Sequence, residues 1–167
     1  MSNRDLSFPL LEQSVDRLVV LTTAPSTNAE IKNFLSDGDV VAVITDNQTD
    51  GRGRLGRHWV TKPGESIALS VALPWSGEDQ DSSGSWVPLI AGAGVVSALL
   101  QYGLAEASLK WPNDVLVGES KLSGILCEWV PAGWVIVGLG LNIDFPVDAP
   151  PSPRATALFH HVAAAEG

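Results

Sequence analysis

Residues 114–130 read DVLVGESKLSGILCEWV, and the fold turns on how that stretch divides. An apolar run at Val115–Val117 ends at Gly118, and a second begins at Leu122 and continues to Val130. Two apolar runs around a Gly-Glu-Ser turn predict a β-hairpin turning at 118–120. The flanks read the same way: SLKWP at 108–112 and GWVIVGLGLNID at 133–144 are both strand-like. Further upstream, RLVVLTT at 17–23, DVVAVITDN at 39–47 and SIALSVALPW at 66–75 add strands, and the apolar run at 39–47 predicts cover on both faces. APSTNAEIKNFLSDG at 24–38 predicts a short helix, capped by Ser26 or Thr27 and closed by Gly38. WVPLIAGAGVVSALLQYG at 86–103 predicts the long helix, with Pro88 in its first turn and Gly103 as its stop. Its apolar character nearly all round predicts burial against the sheet. SGEDQDSSGS at 76–85 reads as an exposed loop. Strands outnumber helices and cluster late, so the expected class is α+β, a mixed β-sheet with helices packed mainly on one side.

The 167 residues make about one domain, and 45% hydrophobic against 17% charged residues marks a folded chain. Ten Lys+Arg against 19 Asp+Glu give a net charge of -9, which repels DNA, RNA and anionic membranes over most of the surface. The single cysteine, Cys127, excludes an intrachain disulfide and fits a reducing, cytoplasmic setting. No stretch reads as a signal peptide or a bilayer span, so no membrane partner is expected.

Against that acidic background, DGRGRLGRHW at 50–59 places Arg52, Arg54 and Arg57 among glycines, and Lys110 and Lys121 lie in the later strands. Half of the positive charge therefore sits in two motifs. Guanidinium forks match phosphate or carboxylate oxygens, and glycines let backbone approach a ligand. The loop is neither a Walker A motif nor a dinucleotide fingerprint. Taken alone it reads equally as a solvated turn or an RNA-binding segment. Asp114 and Lys121, across the hairpin turn, read first as a salt bridge. GLGLNI at 138–143 reads as a glycine-kinked strand or as a wall against which a flat ring can lie.

Five pieces together resemble the biotin protein ligases: STN at 26–28, QTDGRGRLGRHW at 48–59, KWPNDV at 110–115, KLSGIL at 121–126 and GLGLNI at 138–143. The resemblance implies a fold like that of the class II aminoacyl-tRNA synthetases and biotin ligases. It implies a two-step reaction: biotin and MgATP give biotinyl-5'-AMP and pyrophosphate, and a lysine of a biotin carboxyl carrier domain then takes the acyl group. Carried over by position, it makes Lys121 and Arg54 the catalytic candidates, with Lys121 also binding biotin by reaching its carboxylate and the α-phosphate. Ser26, Thr27, Asn28 and Gln48 take the ureido end of biotin. Gly51, Arg52, Gly53 and Arg54 form a loop over it, and Gly124, Ile125, Gly138 and Gly140 wall the valeryl chain and thiophane ring. Arg54, Arg57, Trp59, Lys110, Asn113, Asp114 and Asn142 fall on the ATP side, with Asp114 as the Mg²⁺ ligand. Plain structural roles stand beside several of these: a helix cap for Ser26 or Thr27, a core aromatic for Trp59 and a strand end for Asn142.

The expected division is an N-terminal extension at 1–16, a biotin- and ATP-binding catalytic domain at 17–145 and a tail at 146–167 whose Pro- and Ala-rich composition predicts partial disorder. The segment before the first strand is too short for the winged helix-turn-helix that some members carry, so no DNA partner is expected. The small C-terminal β-barrel usual in the family finds no counterpart, and a homodimer is compatible with the pattern. The rival readings are a lipoate ligase or transferase, a non-catalytic biotin-binding module and an RNA-binding Gly-Arg protein.

Overall fold

The computed structural model describes residues 7–36, 38–59, 61–75, 86–131 and 133–162. Seven strands form one sheet: β1 (Arg17–Val20), β2 (Val41–Thr45), β3 (Ser66–Pro74), β4 (Ala107–Lys110), β5 (Asp114–Val117), β6 (Ser120–Val130) and β7 (Trp134–Asn142). Their order is β1-β2-β3-β7-β6-β5-β4, with β1 parallel to β2 and every other pair antiparallel. The mixed sheet and the hairpin at 118–120 are as the sequence predicts. Among the described residues four α-helices accompany it: α1 (Pro9–Glu12), α2 (Thr27–Glu30), α3 (Val87–Gln101) and α4 (Phe159–Val162).

Most of the helical mass lies on one side. Leu99 of α3 joins Val115, Val117, Leu122 and Ile125 in a buried cluster, flanked by Val137, Leu139 and Leu141 of β7 and by Val162 of α4. Truncating such a residue to alanine typically costs ~2–5 kcal/mol. Because successive strand residues point to opposite faces, Ile136, Gly138 and Gly140 turn the other way. There Ile136 packs with Ile31, Val41, Val43 and Ala72 under α2. Each face of the sheet thus carries an apolar cluster, and on the α2 side the small residues Gly138 and Gly140 continue the face beyond Ile136.

Three features differ from the sequence reading. The helix expected across 24–38 is a single α-turn, α2, followed by a 3-10 turn at Ile31–Phe34. Gly38 still ends the excursion, at φ +84. Helix α3 is apolar all round, yet Ile90 is 69% exposed and Leu100 48%, so only one side meets the sheet. The tail read from 146 onward is built into the domain as far as Val162. Ala157 is fully buried, Lys121 N–H donates to Arg154 O at 2.6 Å, and Thr156 N–H donates to Lys121 O at 2.9 Å. The expected loop at 76–85 lies outside the described residues.

Candidate active site

The glycine face of β7 opens into a cavity of ≈ 400 Å³ beneath α2 and the arginine loop. At its closed end, Ser26, Thr27 and Asn28 are all buried. Ser26 occupies the N-cap of α2 in extended conformation but makes no side-chain capping bond. The Thr27 side chain is drawn across the sheet instead. Gln48 Oε1 accepts from Thr27 N at 2.8 Å, and Ser70 Oγ lies 2.7 Å from Thr27 Oγ1. Asn28 reaches further, donating from Nδ2 to Leu126 O at 3.3 Å and to Glu128 Oε1 at 3.0 Å. Glycine at 138 is obligatory here, because a Cβ would collide with the Asn28 carboxamide.

The arginine loop is a small backbone hairpin. Trp59 N–H donates to Gly51 O at 2.9 Å and Gly53 N–H to Arg57 O at 2.7 Å. Its tip, Arg54–Gly56, holds Leu55 at φ 57, a left-handed conformation that costs a leucine roughly 1–2 kcal/mol. Gly51 is buried and does not line the cavity; its missing Cβ makes room for Gln48 and for the Trp59 carbonyl. Arg52 meets Asp50 at 3.4 Å, whereas neither Arg54 nor Arg57 has an acidic partner within 4 Å among the described residues. The Trp59 indole lies on the glycine strip, where a Cβ at Gly140 would strike the ring and one at Gly124 would come within 3.3 Å of it. Its Nε1 is buried against Gly140 with no hydrogen-bond partner among the described residues.

Lys121 lies at the other end of the strip. Its ammonium is 2.6 Å from Asp114 Oδ1 and 5.6 Å from the Trp59 ring centroid. The hairpin register produces that pairing, since Asp114 faces Gly124 and Leu116 faces Lys121 across an irregularity at Val115/Leu116. The salt bridge read from the spacing is therefore present, inside the cavity wall. Asn113 follows Pro112, which is joined to Trp111 by a cis peptide, and donates to Ile125 O at 2.8 Å.

A second cavity of ≈ 490 Å³ adjoins the first. Arg57, His58, Trp59, Asp114 and Lys121 line both. Lys110 and Asn142 belong to the second alone. Asn142 is buried, and its Nδ2 donates to Thr156 O at 3.0 Å. The Asn142 amide thus secures the segment carrying Arg154, a further cation on this cavity that the sequence reading left in the tail. Ser70 and Glu128 were also missed. Neither belongs to a motif, and only the register that sets Ser70 against Gly138 and Glu128 against Ile136 brings them beside Asn28.

Burial pushes the Glu128 carboxyl up, but hydrogen bonds from Asn28 and Lys32 and the charges of Lys32 and Arg52 outweigh it and hold it below its usual range. Burial raises the Cys127 thiol to about 12, which leaves it an inert, neutral side chain. Among the described residues there is no cluster of three or more His, Cys, Asp or Glu able to hold a metal, and no helix long and apolar enough to cross a membrane.

Residues 21–142 match the model of the Biotin/lipoate A/B protein ligase family. A biotin–[acetyl-CoA-carboxylase] ligase of Mycobacterium tuberculosis is 38% identical over 95% of this chain and 65% of its own length. A solved biotin protein ligase from Aquifex aeolicus in complex with biotin and ATP superposes with a TM-score of 0.70 at 34% identity, covering 89% of this chain and 62% of that one. A putative lipoate protein ligase from T. acidophilum with bound lipoic acid superposes with a TM-score of 0.64 at 15% identity, a likeness of fold alone. The chain spans less than two thirds of the length of the first two.

Proposed function

We propose, from the premise that the chain belongs to the Biotin/lipoate A/B protein ligase family, that it activates biotin with MgATP to biotinyl-5'-AMP and passes biotin to a carrier-domain lysine. One observation carries the reading: Lys121 lines two adjoining cavities, one that joins small and amide-bearing residues to the arginine loop, the other bordered by Arg57, Lys110 and Arg154. A ligand in each would meet at its ammonium. The higher identity to biotin ligases than to the lipoate ligase supports biotin as the acid.

In the first step, a biotin carboxylate oxygen bonds to the α-phosphorus while the bond to the bridging oxygen breaks and pyrophosphate leaves. Two unit negative charges 4 Å apart repel by about 4 kcal/mol at an effective dielectric of 20, so a fixed ammonium at similar range cancels a comparable amount. Lys121 stands where that cancellation is needed. Its pairing with Asp114 is neutral overall, so the uncompensated positive charge comes from Arg54 and Arg57. Asp114 acts first as the group that orients the ammonium across the seam.

Magnesium arriving with ATP supplies further neutralisation of phosphate oxygens. Asp114 would offer it a carboxylate, which suits a cation held mainly by phosphates and water. The biotin end has the chemistry for a cyclic urea: buried hydroxyl and carboxamide groups at Ser26, Thr27, Asn28 and Gln48, with Gly138 leaving room for the Asn28 amide. Trp59, across the strip from Lys121, offers an aromatic face to the adenine or to the closed loop. The second step needs only that the adenylate be kept from water until a lysine amine attacks its carbonyl and AMP departs.

Calorimetry with biotin, with MgATP and with both tests the reading. Biotin is expected to bind alone, and nucleotide to bind more tightly once biotin is present. A chain that binds neither contradicts it.

A further inference from the structure

Asn28 links a charged group to the closed end of the cavity. Its Nδ2 faces two acceptors, the Leu126 carbonyl and the Glu128 carboxylate, so the amide has one consistent orientation, with Oδ1 toward Ser70. The Glu128 carboxylate is in turn held by Lys32 Nζ at 2.9 Å from Oε2.

Ser70 Oγ has one proton and two close neighbours, Asn28 Oδ1 at 2.6 Å and Thr27 Oγ1 at 2.7 Å. Asn28 Oδ1 can only accept, so the Ser70 proton goes there. Ser70 then accepts from the Thr27 hydroxyl. With that proton spent, Thr27 Oγ1 has only lone pairs left for the cavity it lines. The 3.3 Å approach of Thr27 Oγ1 to Gln48 Oε1 is the longer alternative, and Gln48 Oε1 is already served by Thr27 N–H at 2.8 Å.

We propose that Glu128 is a positioning and specificity-determining residue: through Asn28 and Ser70 it fixes the Thr27 hydroxyl as an acceptor, so that the closed end selects a ligand ring bearing an N–H. The inference rests on the reading of the acid substrate as biotin, whose cyclic urea carries such N–H groups, and it predicts rejection of a dithiolane ring, which has none. A buried site built to pair with a donor discriminates strongly against a ring that leaves it unpaired.

The test is calorimetry with biotin, run beside biotin-dependent pyrophosphate exchange on the whole chain. Glu128→Leu removes the shorter and charged of the two acceptors that orient Asn28 and leaves it the Leu126 carbonyl at 3.3 Å. It is expected to weaken biotin binding and raise the KM for biotin by roughly 10- to 100-fold, the size of one lost charge-assisted hydrogen bond, while kcat and the KM for ATP hold within about twofold. Glu128→Gln keeps a carbonyl oxygen for Asn28 and is expected to restore most of the biotin affinity. Ser70→Ala breaks the same chain one link on and gives the same biotin-specific shift, which keeps the test decisive where the leucine variant does not fold. Unchanged biotin affinity in Glu128→Leu and Ser70→Ala, or an equal loss for ATP, overturns the inference. A wild-type chain that binds no biotin overturns the functional reading itself.

Discussion

The two ends of the site are built by opposite means. The closed end, from Gln48 through Thr27, Ser70 and Asn28 to Glu128, is a chain of side chains that hold one another, most of them buried. The arginine hairpin is held by backbone bonds, and Arg54 and Arg57 project from it exposed. The difference teaches where order is needed before a ligand arrives. Recognising a neutral ring calls for hydrogen-bond partners fixed beforehand, since an unpaired buried group is costly. Covering a charged reaction calls for cations that stay solvated until the anions come.

That contrast can be broken by mutation. The largest effect is expected at the seam: Lys121→Ala should lower the rate of adenylate formation by roughly 10²–10³-fold, as for loss of one charge-stabilising donor, with little change in biotin affinity. Rapid-quench measurement of biotinyl-5'-AMP decides it, and an unimpaired rate removes Lys121 from the chemistry. In the preorganised half, Gly138→Ala drives a methyl group into the Asn28 amide. Biotin binding should weaken by roughly 10-fold or more, read by calorimetry, with nucleotide binding unaffected. In the loop, Arg54→Ala should leave biotin affinity nearly intact but speed escape of the adenylate by about 10-fold, the worth of one exposed charge-assisted contact. Equal release rates count against a covering role.

The smallest effect concerns pH. Glu128 titrates below its ordinary range in the folded chain, so its contribution to stability is full above the ordinary glutamate range and is lost as pH falls through the lowered folded value. Thermal melts of Glu128→Gln and the unchanged chain should therefore converge on acidification below the ordinary glutamate range. A difference that persists or grows there would reverse the sign assigned to this carboxylate.

Legibility in the sequence followed the same division. The strands and the hairpin at Gly118 could be read because apolar runs and turn residues are local signals, and the arginines stood out against an acidic chain. Helix α3 was placed by Pro88 and Gly103, but its uniform apolarity misled about burial: one-sided contact with the sheet leaves Ile90 and Leu100 outward. At α2 the sequence predicts too long a helix, because Thr27 and Asn28 turn their side chains across the sheet and only one α-turn forms. Ser70, Glu128 and Arg154 escaped notice for a shared reason. Their roles come from register and from docking of the 151–158 segment on Lys121, which no short motif encodes.

Convergence of Lys121 with the arginine hairpin on one seam between two cavities is the claim on which the functional account stands. Its most direct test is mass spectrometry of the chain incubated with biotin and MgATP. Biotinyl-5'-AMP should accumulate on the protein together with one equivalent of pyrophosphate; biotin and ATP recovered unchanged, with both shown to bind, would contradict the account.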